Sequence, residues 1–334
     1  MMMWELGMTG IYNYYQGKKI LITGGAGYLA SVLVALLSDT DCRIIRLDQK
    51  KPAAVPRRKA AEIVDLVGDV SIDKTWEEPL DGIEIVFHFA AQTSVYTANK
   101  DTAEDLKRNV MPMVHLLEAC RRQKIKPVIL FSGTVTESGM PAYLPVDETH
   151  PDNPITVYDL HKLMAENYLK YYCRQGLVRG ATLRLANVYG PGPESGSAGR
   201  GILNLMVKKA LQGENLTLYG TGEYLRDYVY VYDVADAFLK AAASIDKVNG
   251  HHFVIGSGKG TTLAEAFNLV AEKAAVKTGK KVRIISVDPP SELSLIENRN
   301  FIADNRKFIS GTGWKAEYSL TQGIEAIIES VLKR

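Results

Sequence analysis

An α/β fold, a doubly wound parallel sheet with a smaller, intercalated C-terminal lobe, is what the sequence predicts, and three observations carry that expectation. Short apolar runs of strand length alternate with amphipathic helical stretches from residue 18 to about residue 187. The first run ends in a glycine cluster, LITGGAGYLAS at 21–31, and the second ends on an acid, Asp48. From residue 188 the alternation loosens into the stretches GPGPESGSAGRG and YGTGEYLRD.

The elements follow in order. KKILIT reads as a strand, YLASVLVALLSD as a helix and RIIRLD as a second strand. IEIVFHFAA is a buried-type strand, and EDLKRNVMPMVHLLEACRRQ one long amphipathic helix despite Pro112. PVILFSG is a further strand, YDLHKLMAENYLKYYCRQG a helix, and GATLRLANVYGPG a strand running into a loop. Apolar strands alternating with helices indicate βαβ units. Residues 18–187 are expected to form the main domain, with parts of 229–258 returning to it and 188–334 forming mainly the smaller lobe.

The chain has 334 residues, 46% hydrophobic and 23% charged, with a net charge of +2. Such a composition suits a globular protein of about two domains and gives no support for a nucleic-acid or membrane surface. Cys42, Cys120 and Cys173 stand far apart without metal-ligand spacing, as small apolar or surface residues in a reducing compartment. The six histidines, among them His161 and the pair His251–His252, also lack metal spacing and read as structural or solvent-exposed. No apolar run approaches the ~18 residues that span a bilayer. Residues 1–17 carry Glu5 and lack a cationic start followed by an apolar core. They read as an aromatic surface extension with alternative start methionines, not as a signal peptide, so the expected location is cytoplasmic.

A glycine-rich turn from strand to helix lets a pyrophosphate approach the backbone and meet the helix-start N–H groups. Gly24 and Gly27 are placed to do this, with Tyr28 and Leu29 opening the helix beside the cofactor. Ala30 stands where a third glycine usually serves helix–strand packing. Asp48 closes the second strand 24 positions after Gly24, near the offset of a ribose-binding acid. A carboxylate there accepts from adenosine ribose hydroxyls and repels a 2′-phosphate, which favours NAD over NADP. Arg46, Lys50 and Lys51 stand close by and could compensate. The glycine turn and Asp48 together point to a dinucleotide-binding Rossmann domain.

TVYDLHK places Tyr158 and Lys162 four apart at a helix start, on one face. A free tyrosine titrates near pH ~10, so a base at neutral pH needs a nearby cation that stabilises the phenolate. Lys162 can supply it. Upstream, FSGT puts Ser132 and Thr134 after a strand, where a hydroxyl could meet a substrate oxygen.

These residues resemble the extended short-chain dehydrogenase/reductases, specifically the nucleotide-sugar epimerase and dehydratase group that includes UDP-glucose/galactose 4-epimerase-like proteins. The resemblance covers roughly residues 18–330. It rests on TGGAGYLA, LDQ, GDV at 68–70, HFAAQTSV at 88–95, FSGTVTESG, YDLHK, LRLANVYGPG and GEYLRDYVYVYDVADA. It implies catalytic roles for Thr134, Tyr158 and Lys162, with Ser132 as backbone support. It also implies that Asp69 and Val70 face the adenine, that Ala90 and Ala91 line the cofactor, and that Asn109 supports the active-site helix. Asn187 and Arg226 would hold the diphosphate of a nucleotide-diphosphate sugar, a task suited to the planar guanidinium. A homodimer built from helices near 104–123 and 157–175 is a further implication.

The chain departs from the group at two informative places. An arginine expected about nine positions before Ala303–Asp304 is replaced by Ser294, and Arg299 lies four before the pair. Arg299 either substitutes from another angle or the clamp is remodelled. Dehydratases follow the catalytic threonine with Asp–Glu; here Val135 and Thr136 follow Thr134, and the first acid is Glu137. On a strand-like segment Glu137 would point away from the sugar. Ser138 also stands where a tyrosine often precedes the closing glycine.

The resulting expectation is an NAD-dependent nucleotide-sugar epimerase, most simply acting at C4. A nucleotide-linked 4-keto-sugar reductase using NAD(P)H is the alternative. A 4,6-dehydratase and a noncatalytic dinucleotide-binding scaffold are more distant ones. No metal is expected.

Overall fold

A computed structural model describes residues 5–52, 60–192, 201–289 and 294–333, with side chains from residue 10. Residues 1–4 of the N-terminal stretch and 193–200 of the glycine/proline loop lie outside the described residues. The strands are β1 Lys19–Thr23, β2 Arg43–Asp48, β3 Glu62–Val67, β4 Ile85–His88, β5 Val128–Thr134 and β6 Arg179–Leu185. There follow β7 Asn187–Tyr189, β8 Leu216–Tyr219, β9 Leu225–Tyr230, β10 His252–Ile255, β11 Gly260–Thr262 and β12 Ile284–Val287.

Seven parallel strands form the main sheet in the order β10-β6-β5-β4-β1-β2-β3. Strand order reverses between β1 and β4, and ligands of such sheets sit at the carboxyl ends beside that reversal. Alternate strand residues face opposite ways, and both faces are covered at the centre of the sheet, so β1 and β4 read as continuous apolar runs. Ile20, Ile22, Phe87 and Leu130 pack on one face with Leu33 and Phe238. Leu21, Val86, Ile129 and Phe131 pack on the other with Leu116, Leu117 and Leu169. Ala30 and all three cysteines are buried.

β10 lies at the edge of the main sheet although β8 and β9 precede it in the chain. The remaining strands make a three-stranded sheet, β11-β9-β7, and a two-stranded one, β12-β8. Helices Ile202–Gln212, Leu263–Thr278 and Leu320–Leu332 pack with these strands around a third core that includes Leu216, Leu218, Tyr228 and Tyr230. Among the described residues no helix is long and apolar enough to cross a membrane.

Four expectations are corrected. The single helix at 104–123 is two, Thr102–Asn109 and Met111–Gln123, with Pro112 in the first turn of the second. Proline lacks an N–H and collides with the carbonyl four residues back, so it starts a helix rather than continuing one. Strand β3 was not foreseen, because EIVDLV has an acid inside it; Asp65 is offset there by Arg46 of β2, with Nε to Oδ1 at 2.7 Å. Residues 135–138 form a 3-10 turn rather than strand. The N-terminal stretch is no mere surface extension: Glu5–Tyr15 is a helix, Tyr15 is fully buried, and its hydroxyl donates to Leu239 O at 2.7 Å.

A buried ion cluster fastens helix Val157–Arg174 to the sheet. Arg184 of β6 places Nη2 2.7 Å from Glu166 Oε1 and Nε 3.0 Å from Glu137 Oε2. Its Nη1 reaches Asp152 at 2.5 Å.

Both anchors give measurable expectations. Tyr15→Phe should cost about 0.5–1.5 kcal/mol by removing the buried bond to the Leu239 carbonyl, and Tyr15→Ala about 3–5 kcal/mol through the cavity as well. Urea unfolding of the pair checks this; a neutral Tyr15→Ala would mean the N-terminal helix is not docked in solution. Arg184→Met leaves Glu137 buried without its cation and Glu166 with Lys170 alone, and should cost about 3–5 kcal/mol, read by the same unfolding curves.

Candidate active site

At the carboxyl end of β1 the chain turns through Gly24, whose φ of 66° is the left-handed region glycine tolerates. A Cβ on Gly24 would stand 2.9 Å from Ala90 N, so the turn is packed directly on the end of β4. Gly27 precedes helix Tyr28–Leu37, and no side chain caps that helix. A first turn with no side-chain acceptor is a ready anion site. Tyr28 donates to Gly190 O at 2.7 Å, joining the turn to the loop after β7. Ala91 lies beside Ala90 and both are half-buried.

Asp48 ends β2 and accepts Ala26 N–H and Lys50 N–H at 3.1 Å each. Arg46 is 4% exposed and held by Asp65, so it is not free to receive a 2′-phosphate. Burial pushes Asp69 up, but hydrogen bonds from Ser71 and Gln49 outweigh it and hold the carboxyl below its usual value. Val70 is buried beside it, and its carbonyl accepts Trp76 Nε1–H at 2.9 Å. An open helix start, a glycine cradle and a carboxylate at the end of β2 fit a dinucleotide with unmodified ribose hydroxyls.

Helix Val157–Arg174 carries Tyr158 and Lys162 one turn apart, and Thr156 caps it by accepting Asp159 N–H at 3.2 Å. Tyr158 is half-buried and Lys162 2% exposed. Burial lowers the Lys162 pKa to about 8, against the pull of Glu137, Asp105 and Glu166. Its ammonium lies 4.0 Å from the Phe131 ring centroid. His88 is buried nearby, and burial together with Lys162 lowers it to about 3, so it stays neutral. His161, next to Lys162, pairs with Asp105 at 2.7 Å. Asn109 donates to the same carboxylate at 2.9 Å, which connects it to this helix.

Thr134 ends β5 and caps the following turn. Its N–H donates to Glu137 Oε1 at 3.0 Å, and its Oγ1 lies 2.8 Å from Thr136 Oγ1. Ser132 donates only a long bond, 3.4 Å, to His88 O. Glu137 is fully buried, and burial and Glu166 raise its pKa. The capping geometry of the turn, not strand alternation, sets its direction.

Arg226 on β9 is 2% exposed and donates to the carbonyls of Leu225, Arg299 and Glu297. Arg299 follows a 3-10 turn, Leu295–Asn298, and donates to Ile296 O at 2.8 Å. Burial and the neighbouring Arg226 lower Arg299 to about 10. The two arginines are thus brought together, while Ser294 opens the turn before them. Asn187 pairs in register with Tyr228 across β7 and β9. Four buried polar atoms in this region have no partner: Asn187 Oδ1, Tyr228 OH, Arg299 Nε and Asp159 Oδ2. Unpaired buried groups are costly, and their concentration marks a place where a polar ligand would complete them.

Sequence reasoning passed over Asp159 and Tyr228. Asp159 sits inside the Tyr-x-x-x-Lys spacing, where attention goes to the ends, and Tyr228 reads as one aromatic among several. Asp227, fully buried, was also missed. It accepts from Ala303, Ser257 and Gly258 backbone and so holds β9 in place. Among the described residues no group of three or more His, Cys, Asp or Glu could hold a metal ion.

The chain is similar to known proteins along most of its length. Residues 20–256 match the NAD dependent epimerase/dehydratase family. A UDP-glucose 4-epimerase of Mycolicibacterium smegmatis is 29% identical, over 93% of this chain and 97% of that protein. The crystal structure of a Thermotoga maritima UDP-glucose 4-epimerase with UDP-glucose superposes with a TM-score of 0.84 at 31% identity, covering 94% of this chain and 99% of that one. A Thermus thermophilus UDP-glucose 4-epimerase in complex with NAD gives 0.78 at 27% identity, covering 93% and 98%. This chain belongs to the NAD-dependent epimerase/dehydratase family, and NAD is its cofactor.

Proposed function

We propose that the protein is an NAD-dependent 4-epimerase of a nucleoside-diphosphate sugar, with UDP-glucose and its C4 epimer as the first substrates to try. The observation that carries the reaction type is the placement of Glu137. The first carboxyl after Thr134 is fully buried, holds Thr134 N–H and faces Arg184, so this turn offers no acid or base for removing water. Tyr158, Lys162 and Thr134 remain for hydroxyl and keto chemistry. The relatives' activity supports the same reading.

Gly24, Gly27, Tyr28, Leu29, Asp48, Asp69, Val70, Ala90, Ala91 and Asn109 would form or support the NAD site on residues 18–187, with 229–258 returning to that domain. Bound NAD supplies a hydride acceptor that can give the hydride back. Tyr158 takes the proton of the sugar hydroxyl, and Lys162 stabilises the phenolate. Thr134 holds the same oxygen. Arg226 and Arg299, in the lobe of 188–334, and Asn187, at the end of the main domain, anchor the diphosphate while the sugar turns to present its other face. Binding at that distance offsets the positional freedom the sugar needs.

A homodimer is proposed as well. Leu160, Tyr168 and Tyr171 are exposed along one face of helix Val157–Arg174, as an interface stripe would be.

Three outcomes are expected. Tyr158→Phe should lower turnover of UDP-glucose by at least about 100-fold, with products followed by NMR; undiminished turnover excludes the mechanism. The Lys162 cation persists below about 8 and is lost as pH rises through that value. Wild-type kcat/KM should therefore fall on the alkaline side, whereas Lys162→Arg, weaker but permanently charged, should show no such limb. Light scattering should return about twice the 36.8 kDa chain mass, and Tyr171→Glu should shift it towards the monomer; a wild-type monomer at micromolar concentration rejects the dimer.

A further inference from the structure

A cavity of about 470 Å³ lies beside edge strand β10, and its walls include Glu148, Lys170, Arg174, His251, His252 and Lys307. His252 opens β10 opposite Thr182 of β6, whereas Thr134 stands at the carboxyl end of the sheet, opposite Leu185. Lys170 and Arg174 lie at the end of helix Val157–Arg174, whose first turn carries Tyr158. At 1.5 Å per residue, Lys170 is roughly 18 Å along the axis from Tyr158. The cavity is therefore separate from the candidate active site.

Its charges are unbalanced. Three cations meet one carboxylate, Glu148, which is engaged by Val254 N–H at 2.9 Å. Lys170 is held in place, donating to Glu166 Oε1 at 2.5 Å and to His252 Nδ1 at 2.6 Å. An ammonium has three N–H bonds, so one is left to give. Because His252 Nδ1 accepts, its ring proton lies on Nε2, a buried donor that has no partner. Arg174 and Lys307 are exposed and join no ion pair among the described residues; Lys307 lies 5.2 Å from the Phe253 ring centroid. Burial, then Lys307 and Lys170, depress the His251 pKa, as a positive field does.

We propose that this cavity binds the phosphate group of a small molecule, with Arg174, Lys307 and the remaining Lys170 N–H as its donors. The planar guanidinium matches two phosphate oxygens, and the ammonium groups add point charges on either side. Volumes of about 300–1,000 Å³ are usual for small-molecule sites, so there is room for the body that carries the phosphate. The donors come from two helices, Val157–Arg174 and Arg306–Thr312, and converge on a concave space. A nucleic-acid surface would instead spread its cations along an open stripe.

The test is titration calorimetry of the NAD-loaded protein with inorganic phosphate and with ribose 5-phosphate. It compares the wild type, the double variant Arg174→Gln/Lys307→Gln and the charge-keeping double variant Arg174→Lys/Lys307→Arg. Both positions are exposed, so unfolding midpoints should match. The wild type should show a saturable site that the glutamine variant weakens about tenfold or more, while the charge-keeping variant stays within a few-fold. Histidine NMR places the site: phosphate should raise the His251 pKa by more than sodium chloride of equal ionic strength does, because the anion offsets Lys307 and Lys170. Tighter binding of the ester assigns the cavity to a phosphorylated metabolite, and equal binding to free phosphate. No saturable binding of either probe overturns the proposal. So does an affinity unchanged in the glutamine variant, which puts the anion elsewhere, or a His251 that responds to phosphate only as it does to chloride.

Discussion

The structure depends on keeping one ammonium group out of water. Lys162 has almost no exposed surface, yet the role proposed for it at neutral pH requires a charge. Burial alone would discharge it, and three carboxylates and an aromatic face hold it near the point of balance. Those carboxylates are themselves buried and need partners. Glu166 and Glu137 share Arg184 of β6, and Asp105 is tied to His161. The charge at the site thus dictates polar choices on two helices, the 3-10 turn and a central strand.

The same helix organises the chemistry. Its N-terminal turn presents Tyr158 and, through Asp159 and Thr136, is bound to the end of β5, where Thr134 stands. Strand ends beside the order reversal and helix starts therefore meet at one rim of the sheet. The lobe reaches that rim by another route, with Asp227 fixing β9 so that Arg226 and Arg299 lie side by side. Two buried guanidinium groups repel each other, a cost that the diphosphate proposed to bind there would offset.

Much of this was legible in advance for a simple reason: covered parallel strands must be continuous apolar runs, and phosphate turns must be glycine. The first two strands, the Tyr158 helix and the glycine turn follow from such local rules. The rules failed where a distant partner mattered. EIVDLV is a strand because Arg46 of the neighbouring strand offsets Asp65. The aromatic N-terminal stretch is docked because Tyr15 finds a carbonyl 224 residues away. Glu137 is aimed by its own capping bond and by Arg184, which alternation along a strand does not describe.

By itself the sequence determined the doubly wound sheet, the glycine turn at Gly24 and Gly27, the acid that closes the second strand at Asp48 and the spacing of Tyr158 and Lys162, because each is a pattern within a few residues. Only the tertiary structure decided that Arg46 is committed to Asp65, that Arg299 joins Arg226, and that Asp159 connects to Thr134. Hydrogen bonds and charge pairs between buried groups depend on three-dimensional approach, and separation along the chain carries no record of it.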